Sequence, residues 1–163
     1  ASGQVADSWT AKRQSGTTGV IVCSKTSISA DASNSYPAQQ LVFSAPSGSS
    51  SEIFRYEQLR FSGIAIGDPM QGECEISVSG VGAGSLRYIK LSVSDGVQNG
   101  VFFQNDTGFY MPDNSWSGVF KTPKIISQAV NVALLQLEVC LDGTVSGNGV
   151  TVTITRAPIR KVF

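Results

Sequence analysis

The chain has 163 residues, of which 41% are hydrophobic and 15% charged, and its 12 basic and 12 acidic side chains give a formal net charge of zero. This length fits one domain, and a domain of this size buries about 70% of its unfolded surface without disulfides or metal ions. The balanced charge argues against a nucleic-acid-binding protein, because phosphate contacts demand a basic excess, and no apolar run approaches the roughly 20 residues that insert across a membrane.

Short strands are the predicted elements throughout the chain, since apolar and polar residues alternate between turn-forming residues. In chain order they cover 4–13, 18–26, 37–44, 52–62, 72–79, 85–94, 100–104, 116–124, 130–141 and 148–156. No window carries an apolar stripe at helical spacing. We therefore predict an all-β fold over residues 1–163: a two-sheet antiparallel jelly-roll β-sandwich of eight to ten strands with almost no helix.

Two of these strands change the phase of their alternation. In 85–94 the apolar positions pass from Leu86 and Tyr88 to Ile89, and in 130–141 they pass from Leu134 to Leu135. A shift of one residue inside a strand is the pattern that a β-bulge produces. We therefore expect a bulge in each strand.

The three cysteines, Cys23, Cys74 and Cys140, are odd in number and widely spaced, and each lies in an apolar strand. Neither a disulfide framework nor a zinc site has this pattern. We interpret them as buried free thiols, with one disulfide plus one free thiol as the alternative. Free thiols favour folding in a reducing cytosol.

Both ends of the chain carry expectations. The start, Ala1-Ser2-Gly3-Gln4, has neither an initiator Met nor the apolar segment of a signal peptide, so we expect one module of a longer polypeptide. The only basic cluster is the tail Arg156, Arg160 and Lys161, which we interpret as a solvated C-terminus.

Catalytic chemistry is poorly represented. The absence of histidine removes Ser-His-Asp and Cys-His pairs as well as imidazole metal sites. Glu73 and Glu75 lie on one strand face at the spacing of a glycosidase carboxylate pair, although a solvated outer face explains them better. We predict no catalytic residue, no metal site and no cofactor.

The order of several segments resembles a known family. These segments are Val5–Thr10, which contains an Ala-Asp-x-Trp motif, Ile53–Leu59, Gly72–Ser79, Trp116–Phe120, Leu135–Val139 and Gly149–Ile154. They resemble strands of jelly-roll carbohydrate-binding modules of the family-4/9 type, found in phage tail fibres and in prophage-encoded enzymes such as sialate O-acetylesterases. The resemblance covers nearly the whole chain, and its motifs are mainly core patterns.

Sugar recognition would need aromatic faces and planar polar groups in one groove. For this role we select Tyr110 and Trp116 of the predicted loop 105–116 as stacking groups. Partners for sugar hydroxyls or carboxylates are Arg55, Glu57, Arg87 and Asn105. The pattern of strand 52–62 does not decide which of its faces is buried: either Arg55 and Glu57 face outward, or Tyr56, Gln58 and Arg60 do. The alternative role for the outward-facing residues is an internal ion pair or a solvated face. Trp9 is expected to pack in the core or against the N-terminal edge.

The resemblance implies a non-catalytic carbohydrate-binding module of a phage or prophage protein that binds cell-surface or mucin-type glycans, sialic acid included. The alternative is a structural or trimerisation domain of a phage tail fibre. The expected partners are a glycan and the remainder of the parent polypeptide, and the expected place of action is outside the cell or on a virion. If the parent protein is an enzyme, a hydrolase or esterase, we expect its active site elsewhere, and the oligomeric state stays open.

Overall fold

The computed structural model describes residues 2–4, 9–16, 19–29, 35–44, 51–59, 63–81, 86–104, 114–142 and 149–162. Within these ranges the backbone forms strands and no helix. The described residues therefore contain no helix long and apolar enough to cross a membrane. The strands are β1 (Ser2–Gly3), β2 (Trp9–Ser15), β3 (Val20–Ser29), β4 (Ser35–Ser44), β5 (Glu52–Leu59), β6 (Pro69–Val81), β7 (Leu86–Ser94), β8 (Asn99–Gln104), β9 (Asn114–Lys121), β10 (Ile125–Ile126), β11 (Leu134–Leu141), β12 (Gly149–Arg156) and β13 (Ile159–Lys161).

The strands form two sheets. The larger has eight strands in the order β1-β3-β4-β12-β6-β10, with β9 and β13 also paired to β6, and the smaller has the order β2-β5-β11-β7-β8. All pairs are antiparallel except β1 with β3. The predicted all-β sandwich is confirmed. Each predicted strand corresponds to an observed one, while the short strands β1, β10 and β13 exceed the expected number.

The core lies between the two sheets and takes one side chain in two from most strands. Phe43 of β4 meets Phe54 of β5 across the interface, with ring centroids 5.2 Å apart. The thiols of Cys23, Cys74 and Cys140 are free and buried, as predicted. Burial raises the pKa of Cys74 to about 12 and that of Cys140 to about 11, so neither is a ready nucleophile.

One of the two expected bulges is present. The pairing of β11 with β7 passes from Cys140 opposite Tyr88 to Leu141 opposite Leu86, which leaves Arg87 as the extra residue. The prediction of a bulge within 130–141 is wrong. Strand β11 begins at Leu134 and keeps one register with β5 to its end. β11 shows no alternation because it is the middle strand of its sheet and is buried on both sides.

Candidate functional site

Arg55 and Glu57 lie on the outer face of the five-stranded sheet, because Phe54 and Tyr56 occupy the core side of β5. Arg55 Nε donates a hydrogen bond of 2.8 Å to Glu138 Oε2. Glu57 accepts hydrogen bonds from Lys12 Nζ at 2.5 Å and from Gln136 Nε2 at 2.7 Å. The alternative role considered for these residues, an internal ion pair, is therefore the one that the structure shows.

Glu138, on the middle strand β11, is the centre of this polar face. Its side chain is only 3% exposed. Besides the bond from Arg55, it accepts one hydrogen bond of 2.9 Å from the Tyr88 hydroxyl and forms an ion pair of 2.9 Å with Lys90. Burial alone raises the pKa of Glu138, but the hydrogen bonds from Lys90, Arg55 and Tyr88 outweigh it and hold the pKa below its ordinary value. The carboxylate is ionised and fully engaged by its neighbours.

Of the remaining predicted site residues, Arg87 and Trp116 belong to the described part of the chain. Arg87, at the β7 bulge, donates to Asp142 Oδ2 from Nη2 at 2.7 Å and from Nε at 3.1 Å. Trp116 lies on β9 of the eight-stranded sheet, opposite Val78 in register. Tyr110 and Asn105 lie outside the described residues, as does most of the predicted loop 105–116, whose last residues begin strand β9. The described residues of the predicted site are thus divided between two sheets.

An aromatic stack combined with polar groups occurs elsewhere, around Trp9. The Trp9 ring lies parallel to the Tyr56 ring, with centroids 4.5 Å apart and an interplanar angle of 7°. The two rings line a cavity of about 370 Å³ whose other described walls come from β3, β4, β12 and the residue that follows β12. Its remaining lining residues are Lys25, Thr26, Pro37, Ala38, Gln39, Ile154, Thr155, Arg156 and Ala157. Trp9 packs against the core, as expected, but it is half-buried and also forms this wall.

Gln39 is the buried polar residue of the Trp9 cavity. Its Nε2 donates to the backbone carbonyls of Ser24, Gln4 and Gln40 at 2.9, 3.1 and 3.2 Å. Because these bonds hold the amide nitrogen, the carbonyl Oε1 is turned toward the Tyr56 hydroxyl, which lies 3.5 Å away. An oriented amide thus holds the hydroxyl end of one of the two stacked rings.

Arg156 lies at the exposed rim of the Trp9 cavity, at the end of β12. Its guanidinium forms ion pairs with Glu73 and, at 3.8 Å, with Glu75. The carboxylates therefore orient the guanidinium, and the rim presents a planar cation of fixed direction. Lys25 adds a second cationic side chain to the described lining.

The surroundings of Glu73 differ from the solvated outer face that the sequence predicts. Glu73 shares the outer face of β6 with Glu75, as predicted, but it is buried rather than solvated. Arg160 and Lys121 lie 3.5 and 3.6 Å from its carboxylate, in addition to Arg156. The side chains of the basic tail are 41–49% exposed, as expected, but they are also paired with carboxylates: β13 pairs with β6, and its lysine, Lys161, contacts Asp68 at 2.7 Å.

The sequence interpretation missed Gln39 and Arg156. Gln39 had a usable signal, because it occupies the same phase of β4 as the apolar Leu41 and Phe43, where a polar residue needs a specific partner. For Arg156 the sequence carried no such signal, because the direction of its side chain depends on a β-bulge that the sequence does not show. In the pairing of β12 with β6, Ile154 is opposite Ile76, but Arg156 is opposite Glu75.

The assembled groups suit binding. Trp9, which is half-buried, supplies an aromatic face that is backed by the buried Tyr56 ring, and Arg156 supplies a guanidinium of fixed orientation at the rim, while the buried amide of Gln39 holds the wall behind them. Within the described part of the chain, no three His, Cys, Asp or Glu side chains converge as a metal site would require.

Solved structures share this architecture. A carbohydrate-binding module of the β-sandwich superfamily, described for promiscuous specificity, matches with a TM-score of 0.54 at 10% identity over 96% of this chain and 58% of that one. The chain has the jelly-roll fold of these carbohydrate-binding modules. It spans less than two thirds of the module-containing chain that it matches.

Two further structures are similar. The enzymatically active domain of tailspike protein 4 of bacteriophage CBA120 matches with a TM-score of 0.53 at 12% identity, over 96% of this chain and 20% of that one. A Stig cyclase of Fischerella sp. TAU, solved with an indole compound, matches with a TM-score of 0.50 at 10% identity, over 94% of this chain and 84% of that one. No family model matches the sequence, and no curated protein is similar to it in sequence.

Proposed function

We propose that this chain is a non-catalytic glycan-binding module and that the Trp9 cavity is its binding site. The observation that carries the proposal is the convergence of the Trp9–Tyr56 stack, the oriented amide of Gln39 and the guanidinium of Arg156 on one opening. The outer face around Glu138 is a weaker candidate, because the polar groups of both places are paired with protein groups and the Trp9 cavity adds the half-buried indole ring of Trp9.

The chemistry of the cavity fits a sugar ring. The C–H side of a pyranose packs on an aromatic face, and its hydroxyls take hydrogen bonds from planar amide and guanidinium groups. Such a site is small and open to solvent, so we expect a Kd between micromolar and millimolar, or about −8 to −4 kcal/mol of binding free energy.

The biological setting is part of the proposal. The fold shared with carbohydrate-binding modules and with a phage tailspike domain supports a module attached to a phage or prophage protein. In that setting it acts outside the cell or on a virion, and it directs the rest of its polypeptide to cell-surface or mucin-type glycans. Sialylated glycans are included among the candidates because Lys25 and Arg156 give the cavity lining a cationic character.

A glycan array followed by calorimetry tests the site. The array should include neutral, sialylated and O-acetylated sugars, and the best hit is titrated against wild type, Trp9→Ala and the control Val97→Ala, which alters an exposed turn residue outside the cavity. We expect Trp9→Ala to weaken binding at least tenfold and Val97→Ala to leave it unchanged. Absence of glycan binding, or equal affinity of Trp9→Ala and wild type, would overturn the proposal.

A second candidate function, assembly with other copies in a fibre, is favoured by one observation. Five aliphatic side chains are 44–70% exposed in strand β10 and in the loops near it: Ile66, Val97, Ile126, Val130 and Val132. Backbone hydrogen bonds join these loops, from Gly67 N to Ser127 O at 2.8 Å and from Asn131 N to Ile64 O at 2.9 Å. Exposed apolar groups on a rigid support are typical of interaction surfaces.

Light scattering distinguishes this second function from the first. An assembly domain should form a stable trimer that Val130→Asp converts to monomers. A monomer at all concentrations, together with Trp9-dependent glycan binding, rejects assembly and supports the glycan-binding module.

A further inference from the structure

The sandwich has two open sides, where the outermost strands of the two sheets lie next to each other. On one side β2, the edge strand of the five-stranded sheet, contacts β3 of the eight-stranded sheet. On the opposite side β8 and β9 meet, and the rings of Phe102 and Phe120 pack there with centroids 5.0 Å apart. Among the described strands, β2, β8 and β9 each pair with one neighbour only.

The side formed by β2 and β3 carries features that hinder pairing with another chain. Lys12 and Arg13 place two charges in β2, and the register of β2 with β5 shifts between Arg13 and Ser15. The outer edge of β3 is covered in part by β1, which pairs with Val22 and Cys23. Charged residues, bulges and covering segments at edge strands block edge-to-edge association of sheets.

The side formed by β8 and β9 has a different composition. Neither Asn99–Gln104 nor residues 114–120 contain a charged residue or a proline, and the only charge of β9 is Lys121 at its end. Ser117 is exposed, and Val119 is 49% exposed. A long neutral edge strand is a template on which another chain can continue the sheet. The two sides of the sandwich therefore differ in their capacity for association.

A partner of this side has to supply two strands at once. The two sheets of a sandwich lie about 10 Å apart, so one extended peptide covers β8 or β9 but not both. A second copy of this chain supplies both, because a two-fold axis perpendicular to the sheets brings the two β9 strands together, and the two β8 strands, in antiparallel pairs. In this arrangement Lys121 lies opposite the neutral first residues of the other β9, so the two lysines stay apart.

The size of this side is sufficient for a dimer. Strand β9 has 8 residues. At the strand rise it is about 27 Å long, and a sandwich with its outer side chains is about 20 Å thick. The contact is therefore about 500 Å² per copy, which reaches the total of about 1,000 Å² that is expected of a biological interface.

We propose that two copies of this chain pair through the β8–β9 side, so that both sheets continue across a two-fold axis. The dimer does not depend on the glycan-binding function. The Trp9 cavity is lined by β2 and β3 on the opposite side, so dimerisation leaves it open.

Analytical ultracentrifugation over a wide range of protein concentration tests the dimer. We expect a reversible equilibrium between monomer and dimer for wild type. Ser117→Lys places a lysine near the middle of each β9, where the two copies meet, so it should raise the dissociation constant of the dimer at least tenfold. The matched control, Ser15→Lys, makes the same change at an exposed position of β2 and should behave like wild type. Circular dichroism checks that both variants are folded.

Hydrogen exchange of the wild-type protein locates the interface without any substitution. Between dilute and concentrated samples, the backbone amides of β8 and β9 should exchange more slowly as the dimer forms, whereas those of β2 should not change. This measurement decides the location of the interface even if Ser117→Lys does not fold.

Three results would overturn the dimer. The first is a monomer at every concentration. The second is a trimer that Val130→Asp dissociates, because it assigns association to the exposed aliphatic side chains near β10. The third is a dimer whose concentration-dependent protection lies outside β8 and β9. Dimerisation that protects β8 and β9 supports the proposal, whether or not the chain binds a glycan.

Discussion

The two sheets bury one carboxylate each on their outer faces, and the two environments differ. Glu138 and Glu73 are 3% and 4% exposed, and each lies among basic side chains. The cations around Glu138, Arg55 and Lys90, are 28% and 21% exposed, whereas those around Glu73 are 47–57% exposed. Because water screens the second set more strongly, equal burial of the two carboxylates does not imply equal stabilisation.

The difference follows from the position of each strand. Glu138 lies on the middle strand of the five-stranded sheet, where β5 and β7 supply its partners from both sides. Glu73 lies where the neighbour of β6 changes from β12 to β13, so the chain's last strands supply Arg156 and Arg160. The Glu138 network lies at the centre of the five-stranded sheet, and the Glu73 network lies in the eight-stranded sheet where the partner of β6 changes.

The largest expected effect is that of removing the central carboxylate. Glu138→Ala leaves Arg55 and Lys90 without their shared counter-ion, and loss of one partner from a buried ion pair costs about 3 kcal/mol or more. Urea denaturation should show this loss in the free energy of unfolding. The exposed Glu75→Ala is the control, and a loss below about 1 kcal/mol for Glu138→Ala would contradict the comparison.

Acid should remove part of the same stabilisation. In the folded protein the pKa of Glu138 lies below its ordinary value of 4.5. The contribution of Glu138 to the free energy of unfolding is therefore complete above pH 4.5, and it is lost as the pH falls through the lower pKa of the folded state. Urea midpoints measured from pH 6 downward should therefore fall less steeply for Glu138→Gln than for wild type. Parallel acid limbs in the two proteins would contradict this assignment.

A smaller effect is expected at the second carboxylate. Glu73→Ala removes three partly exposed ion pairs, and we expect the free energy of unfolding to fall by about 1 kcal/mol. The same urea series measures it. A loss equal to that of Glu138→Ala would mean that the exposure of the cations does not decide the difference.

The smallest effect is expected for an ion pair at the edge strand. Lys12 is half exposed and contacts Glu57, which also accepts from Gln136, so Lys12→Ala should change the free energy of unfolding by less than about 0.5 kcal/mol. A loss above about 1 kcal/mol would place Lys12 among the structural residues of this face.

The candidate site shows the limits of sequence reasoning. The sequence leaves two phases open for strand 52–62, and the structure selects the one in which Arg55 and Glu57 face outward; their partners Glu138 and Gln136 lie on a distant strand. Trp9 was recognised as a packing residue, yet its part in a cavity depends on Gln39 of β4 and Arg156 of β12. Neither neighbour is indicated by the sequence around Trp9.

The sequence by itself determined the all-β class, the approximate strand positions and the burial of the three thiols, because alternation and apolar runs are properties of consecutive residues. Only the tertiary structure decided which strands pair, in which register, and where bulges redirect side chains such as Arg87 and Arg156. Pairing joins residues that are far apart in the chain, and a one-residue change in register moves every side chain to the opposite face of the sheet. The Trp9 cavity depends on that long-range choice, since its walls come from both sheets.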